Sequence, residues 1–365
     1  VLHRKGEHLA RAATSEKPGP GRPGRPGRPV ARCARARGPN AMITDLCCGI
    51  GGFSEGAKKH LSLGVAVDND EEVLRVFRQN HPSATAVEAD ATTLRFAAGP
   101  GVHVHASFPC QALSVARSSP EAEEVEEALH NIRHFVGVCA TRGDVHSFSL
   151  ETVATARTLA LAQELASKLD EVGFLVVEMK HWGVPSARKR LLIASRRLRN
   201  ALRREETLPL VGAREAFARA GMDVPVGTHW LKKHRGKCRD AVTRFIDPSV
   251  TITSTALAFA DRHMRTLRML TPTESAVLVG FPHNYVLPAC QRDAQRAVGN
   301  AVPPPFAETV AKWAKLSMET MPMRVALIRE PSPSPLEAID RAIAALQRER
   351  DALLLANRQL VRIIV

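Results

Sequence analysis

Long apolar runs are missing from this chain. None approaches the roughly 18–20 consecutive apolar residues that would cross a bilayer, so an integral membrane protein is not expected. The first residues are polar, with no apolar stretch behind the basic ones, and a secretory leader is not expected either. Cysteine is sparse: seven residues, an odd number that includes the adjacent Cys47 and Cys48, do not make a disulfide framework. No C-x-x-C pair occurs, so a structural zinc site is not expected and no residue is assigned to a metal. The cysteines read as thiols in a reducing compartment. Acidic residues are the minority charge, 37 against 51 Lys and Arg, and the resulting +14 favours a polyanionic partner, nucleic acid first.

A length of 365 residues suits one large domain with an appendage, or two domains. Hydrophobic and charged fractions of 44% and 24% exclude collagen-like and wholly disordered chains. The charge is uneven. Residues 1–40 hold ten Lys/Arg and two Glu, more than half of the net charge, around a Gly-Arg-Pro repeat from Gly21 to Pro29. Such a segment cannot bury enough apolar surface to fold. It reads as a solvated tail, as upstream sequence ahead of an alternative start at Met42, or as a DNA-binding arm. At the other end, residues 329–335 form a Pro/Ser linker. Over 336–365, apolar residues such as Leu346, Leu353 and Leu360 recur at heptad spacing, with Asn357 among them. The expectation is a coiled coil that could pair two copies, against a single amphipathic helix packed on its own domain.

Between the tails, strand and helix patterns alternate. Met42–Leu46, Gly64–Val67, His103–Ala106, Val145–Leu150, Phe174–Glu178 and Leu191–Ala194 read as buried strands. Helices are expected over Ser54–His60, Glu71–Asn80, Ser118 or Ser119 to Cys139, and Val153–Val172. The fold class this predicts is α/β, a doubly wound and mostly parallel sheet. Residues 199–262 lose that rhythm and read as an insert. The catalytic domain is therefore placed at 42–198 and 263–318.

Two segments carry chemistry. Asp45-Leu46-Cys47-Cys48-Gly49-Ile50-Gly51-Gly52-Phe53 closes a strand and opens a helix, where glycines let a ligand approach the backbone. Asp68 ends the next strand, where an acid can bind a ribose hydroxyl, and Asp90 can reach an adenine amino group. Together they suggest an adenosine-containing cofactor without saying which. Ser107-Phe108-Pro109-Cys110-Gln111 follows the His103–Ala106 strand and puts a cysteine over the ligand crevice of a parallel sheet. A lowered pKa there would make it a nucleophile, although Pro-Cys by itself is more often structural.

The glycine loop resembles the cofactor loop of the C5-cytosine methyltransferases, and Phe108-Pro109-Cys110-Gln111 resembles their nucleophile loop. Further matches keep the family's order. They are Glu151-Thr152-Val153, Gly183-Val184-Pro185-Ser186-Ala187-Arg188-Lys189-Arg190, Arg268 to Glu274 with Gly280-Phe281-Pro282, and Gly299-Asn300-Ala301-Val302-Pro303. The resemblance implies a Rossmann-like fold dependent on S-adenosylmethionine, with a small target-recognition insert and a C-terminal helix. It implies methyl transfer to C5 of a flipped cytosine through a cysteine adduct.

In that reading Cys110 is the nucleophile, Glu151 bonds the base at N3 and its amine, and Arg188 with Arg190 completes the catalytic set, Arg190 at the position expected to contact O2 and orient the adduct. The cofactor would be held by Asp45, Cys47, Gly49, Gly51, Gly52, Phe53, Asp68, Asp90, Pro109, Asn300 and Ala301. Gln111, Ser114 and Arg268 would touch substrate. Cys47 stands where the family has Phe against the adenine, Thr152 where it has Asn, and Ser186 where it has Gln.

The expected partner is double-stranded DNA, with a homodimer through the C-terminal seam. The expected location is the nucleus in a eukaryote or the cytoplasm in a prokaryote or virus, not outside the cell. Two rivals stand beside this reading. One is a tRNA-directed member of the family, whose Cys-Phe-Thr signature is absent here because Cys238 is followed by Arg239-Asp240. The other is an inactive scaffold, whose mark would have been loss of Cys110 or Glu151.

Overall fold

The structure is a computed structural model. It describes residues 41–320 apart from 93–95, 97, 115–119, 206, 224–228, 235–236, 240–246, 256, 262 and 264. The basic tail, the 329–335 linker and the expected coiled coil of 336–365 lie outside the described residues.

From its start the chain alternates as the sequence pattern predicts. The first half runs β1 (Met42–Leu46), α1 (Gly52–Ala57), β2 (Ser62–Asp68), α2 (Glu71–Asn80), β3 (Thr85–Glu88), β4 (Val102–Ala106), α3 (Ala122–Thr141) and β5 (Ser147–Val153). It continues through α4 (Ala156–Lys168), β6 (Val172–Glu178), β7 (Lys189–Ser195), α5 (Arg196–Leu202) and α6 (Ala213–Arg219). Seven strands make one sheet in the order β3-β2-β1-β4-β5-β7-β6. All neighbours pair in parallel except β7, which runs antiparallel to both β5 and β6. This is the expected doubly wound α/β architecture. Order reverses between β1 and β4, and a sheet of this kind opens its ligand crevice beyond the strand ends at that switch.

The strands read as near-continuous apolar runs because both faces are covered. One face packs Leu46, Val104, Ala106, Phe148, Leu150 and Ile193 against α3 and α4. The other packs Ile43, Phe53, Leu192 and Ala194 against α1 and α9 (Pro304–Glu319). That second face contains an unexpected polar patch. His103 and His105 on β4 are fully buried, and their ring nitrogens bond Ser147 Oγ and Ser149 Oγ on β5 at 2.8–2.9 Å. Phe53 stacks on His105 with centroids 3.5 Å apart.

Several boundaries differ from the sequence reading. α1 begins at Gly52, two residues earlier than expected, and α3 starts only at Ala122. Glu124 Oε2 accepts the Glu121 N–H there, and Ser118 and Ser119, the expected helix start, lie outside the described residues. β5 extends to Val153, so Glu151 lies on a strand, and α4 starts after Thr155, whose side chain accepts the Thr158 N–H.

The region without obvious rhythm contains a second sheet. β8 (His229–His234), β9 (Lys237–Arg239), β10 (Leu257–Ala260) and β11 (Thr266–Met269) pair antiparallel in the order β11-β10-β8-β9. It therefore reaches past residue 262. Phe217 of α6, Phe259 of β10 and Leu278 of α7 (Pro272–Val279) share a core with Ile50 of the glycine loop. α8 (Gln291–Asn300) leads into α9, which closes the described chain. No helix among the described residues is long and apolar enough to cross a membrane.

Candidate active site

The first wall of the site is the β1–α1 loop. Cys47 adopts φ 55°, a conformation a non-glycine residue rarely takes, and Gly49 and Gly51 take φ 55° and 95°. The loop is held from several sides. Gly49 N–H donates to Asp68 Oδ2 at 2.9 Å, and Ser54 Oγ donates to Asp45 Oδ2 at 2.6 Å. Tyr285 Oη donates to the Ile50 carbonyl at 2.5 Å and is itself 2.9 Å from His81 Nε2.

The glycines do different jobs. A Cβ at Gly51 would lie 2.6 Å from His81 Nε2, and one at Gly52 only 2.2 Å from the Val302 carbonyl, so these two allow close packing. A Cβ at Gly49 would meet nothing within 4 Å. The loop thus presents a bare backbone to open space at one point, beside two acids. Asp68 ends β2, and Asp90 accepts the Thr92 N–H and hydroxyl at 2.8 and 2.7 Å. Burial raises the Asp68 carboxyl above its ordinary value, while the Thr92 hydroxyl and amide hold Asp90 below it. Asp45 is fully buried and is pushed up to about 7, chiefly by loss of solvent, and its Oδ1 has no hydrogen-bond partner among the described residues.

The second wall follows β4. Ser107 N–H donates to the Leu46 carbonyl and Ser107 Oγ to the Cys47 carbonyl, both at 3.1 Å, which fastens this loop to the first. Phe108 is buried edge-on against Phe135. Cys110 follows Pro109 and precedes a 3₁₀ turn over Gln111–Leu113. Gln111 is exposed and Ser114 half-buried.

Glu151, near the end of β5, is buried and forms an ion pair with Arg190 of β7, Oε1 to Nε 2.9 Å. Burial raises the Cys110 thiol above its usual value and Glu151 raises it further, while Arg190 and Arg188 pull it down. The resting sulfur is therefore a protonated thiol with two cations in electrostatic reach.

Arg188 and Arg190, both placed in the catalytic set with Arg190 expected at the base O2, separate in the structure. Arg188 is buried, and its guanidinium donates to the carbonyls of Gly299, Ala301 and Ile252 at 3.1, 3.2 and 3.4 Å. It ties the β6–β7 connection to the Asn300 segment and to the chain that leads into β10. Burial, then Arg190, pushes it down to about 10, so it keeps its proton at neutral pH.

Three other expected residues sit differently from a ligand contact. Phe53 is buried against His105 on the α1 side of the sheet. The Arg268 guanidinium is held by both Glu274 oxygens at 2.6 and 2.8 Å and lies over the Phe259 ring. Ala301 enters through its carbonyl, which Arg188 holds, while Asn300 is exposed at the end of α8. Sequence reasoning missed the clamp of His81 and Tyr285. The available signal was that Tyr285 is the chain's single tyrosine.

A parallel sheet with a glycine-lined first loop, strand-end acids and a cysteine beside an acid–arginine pair is the architecture of an α/β methyltransferase. Solved structures share the fold. A DNA modification methyltransferase encoded within an E. coli prophage superposes with a TM-score of 0.55 at 15% identity, over 74% of this chain and 97% of its own. A variant of Spodoptera frugiperda DNMT2 gives 0.53 at 17%, over 75% and 99%.

The sequence profile of the C-5 cytosine-specific DNA methylases matches residues 41–209 and 219–315. The chain belongs to that family. Among curated relatives, Type II methyltransferase M.AplI of Arthrospira platensis is 26% identical over 198 residues, 48% of this chain. The match spans 57% of that relative's length.

Proposed function

We propose that the protein is an S-adenosylmethionine-dependent DNA (cytosine-5)-methyltransferase that works through a covalent Cys110 adduct. The observation that carries this reading is the convergence of Cys110 with the Glu151–Arg190 ion pair where β4 and β5 end and the antiparallel β7 begins. The cofactor fits the first wall. Gly49 leaves room for it at φ 55°, Asp68 and Asp90 offer acceptors for ribose and adenine, and the orphaned Asp45 Oδ1 points to a missing polar partner. Cys47 offers less contact to an adenine face than an aromatic ring would. When bound, S-adenosylmethionine supplies an electrophilic methyl group.

The chain's own residues account for the rest. Cytosine C5 is a weak nucleophile until a thiolate adds at C6, and Arg190 and Arg188 favour the thiolate form of Cys110. As Cys110 gives its thiol proton to the Glu151 carboxylate and its Sγ bonds C6, negative charge builds at N3, and the proton now on Glu151 would be donated there. Arg190, already paired to Glu151, orients that carboxyl and can turn its remaining donors to the base O2. After C5 is methylated, water takes the C5 proton as the C5=C6 double bond re-forms, the Sγ–C6 electron pair leaves on sulfur, and the proton held at N3 returns through Glu151 to restore the thiol. The base has to be flipped into the pocket for any of this to occur.

DNA as substrate is supported by the family's description and by the Type II methyltransferase relative. The absence of Cys-Phe-Thr at Cys238 argues the same way. Incubation with methyl-labelled cofactor and either cytosine-containing duplex DNA or tRNA tests the proposal. Label at C5 of DNA cytosine is expected. Label in tRNA alone would move the protein to the RNA branch, and label in neither would leave the scaffold reading.

A further inference from the structure

α5 breaks two rules of charge placement at once. Its sequence runs Arg196-Arg197-Leu198-Arg199-Asn200-Ala201-Leu202, followed by Arg203-Arg204. Leu198 and Leu202, four apart, are fully buried and seat the helix on the face shared with α9. Every other side chain of the stretch except Ala201 is Arg or Asn. Arg196 and Arg197 begin the helix, where cations oppose the dipole, and no acid occupies that first turn.

Arg196, Arg199 and Arg203 recur at three and four residues and so share one flank, where like charges repel. The Arg199 side chain lies across Gly173 of β6, whose added Cβ would be 2.5 Å from Arg199 Nε. Its guanidinium is held below its usual pKa by burial and then by Arg203 and Arg196.

Compensation within the fold is slight. Among the described residues, Arg196 has Asp170 at 3.9 Å, an acid that is fully solvent-exposed. Arg197, Arg199, Arg203 and Arg204 have no acid within ion-pair distance among the described residues. Glu205 is already taken by Lys312 and the Trp313 indole N–H, and Glu206 lies outside the described residues. Arg190 and Ser195 are at opposite ends of β7, roughly 17 Å along the strand. The ridge is therefore not part of the catalytic pocket.

We propose that this arginine ridge is a second docking surface that binds the phosphate backbone of a DNA duplex outside the pocket. The choice of duplex rests on the DNA reading above. Guanidinium groups favour phosphate because their forked donors match its oxygens. The ridge offers no exposed aromatic or aliphatic anchor of the kind protein interfaces centre on. A polyanion laid along it would relieve the repulsion that the fold leaves standing.

The test uses the full chain and a duplex of A·T pairs only, which has no cytosine to occupy the pocket. Binding is measured across salt concentrations for the parent, for Arg197→Gln/Arg203→Gln, and for Arg196→Gln/Arg199→Gln/Arg203→Gln. The first variant alters only exposed side chains and spares the packing over Gly173. Each lost phosphate contact lowers the slope of log K against log salt by about 0.9, so drops of about 1.8 and 2.7 are expected. The methylation rate at saturating cytosine-containing duplex should stay at the parent value.

Unchanged slopes in both variants would overturn the ridge. So would variants that lose binding to polyglutamate or to single-stranded RNA while keeping the duplex slope. If the parent methylates only tRNA, the DNA reading fails, yet the A·T duplex slopes still decide the ridge. If DNA is methylated and the slopes do not move, the ridge alone fails.

Discussion

Where β1 and β2 end, the backbone does the holding; where β4 and β5 end and β7 begins, side-chain charge does it. On the cofactor side, positive φ angles at Cys47, Gly49 and Gly51 aim the chain, and Asp68 is tied by the Gly49 and Asp70 amides. On the catalytic side, Cys110, Glu151, Arg188 and Arg190 are set against one another by charge and burial. Backbone cradles tolerate a poor side chain such as Cys47. A cluster of buried charges does not, because removing one member strands another.

The contrast can be broken at the sulfur. Cys110→Ser should lower methyl transfer by at least about 10³-fold, since a hydroxyl is a far weaker nucleophile than a thiolate. DNA affinity should remain, and a covalent complex with 5-fluorocytosine DNA should form with the parent only. Near-normal turnover in the serine variant would remove the adduct from the mechanism.

The two arginines sharpen the catalytic side. Arg188→Ala strands the carbonyls of Gly299, Ala301 and Ile252 and should cost about 3 kcal/mol of folding stability, read as a lower denaturation midpoint. Arg190→Ala strands the buried Glu151 carboxylate and should lower the midpoint too, but it should move the pH profile of single-turnover methylation upward by more than Arg188→Ala does. Arg190 is one of the groups that lower the Cys110 pKa, so without it the thiolate forms at higher pH. Equal effects of both substitutions on both measurements would erase the division of labour drawn between them.

On the cofactor side, Asp68→Ala should weaken S-adenosylmethionine binding by about 1–3 kcal/mol, while Cys47→Phe should tighten it. Calorimetry that finds neither change would move the adenosine pocket elsewhere.

The smallest effect is a pH signature. Burial lowers His81 to about 4 and His103 to about 3, and it lowers His105 as well. Near pH 5 these three are neutral when folded and charged when unfolded, so each loses stability as pH falls. Asp45, raised to about 7, works the other way: it is protonated when folded and ionised when unfolded, so its contribution is lost as pH rises from about 4 through 7. Asp45→Asn should therefore make stability fall more steeply on acidification near pH 5, by about 1.4 kcal/mol per pH unit. Urea titrations at pH 4.5, 5.0 and 5.5 (about the middle of the window, by the pKa directions above) check it. Parallel curves for parent and variant would mean that Asp45 stays ionised in the fold.

Local sequence determined a large part of this molecule. Apolar runs bounded by Gly, Pro and Asp marked six of the seven large-sheet strands, because strands covered on both faces are mostly apolar along their length. β3 escaped notice because Thr85–Glu88 is short and half-polar at the sheet's edge. The glycine loop, Cys110 and Glu151 were legible because their chemistry needs particular residue types at strand ends.

Tertiary structure alone decided the rest, because each remaining feature joins residues distant in the chain. Arg188 and Arg190 are two residues apart and identical in type, yet one reaches carbonyls more than sixty residues away and the other pairs with Glu151. The small sheet pairs β8 with β10 across a stretch of Arg and Gly that shows no period. His103 and His105 are tolerated in the core only because Ser147 and Ser149 arrive beside them on the neighbouring strand. A buried polar group is affordable when a partner meets it, and only the fold supplies the meeting.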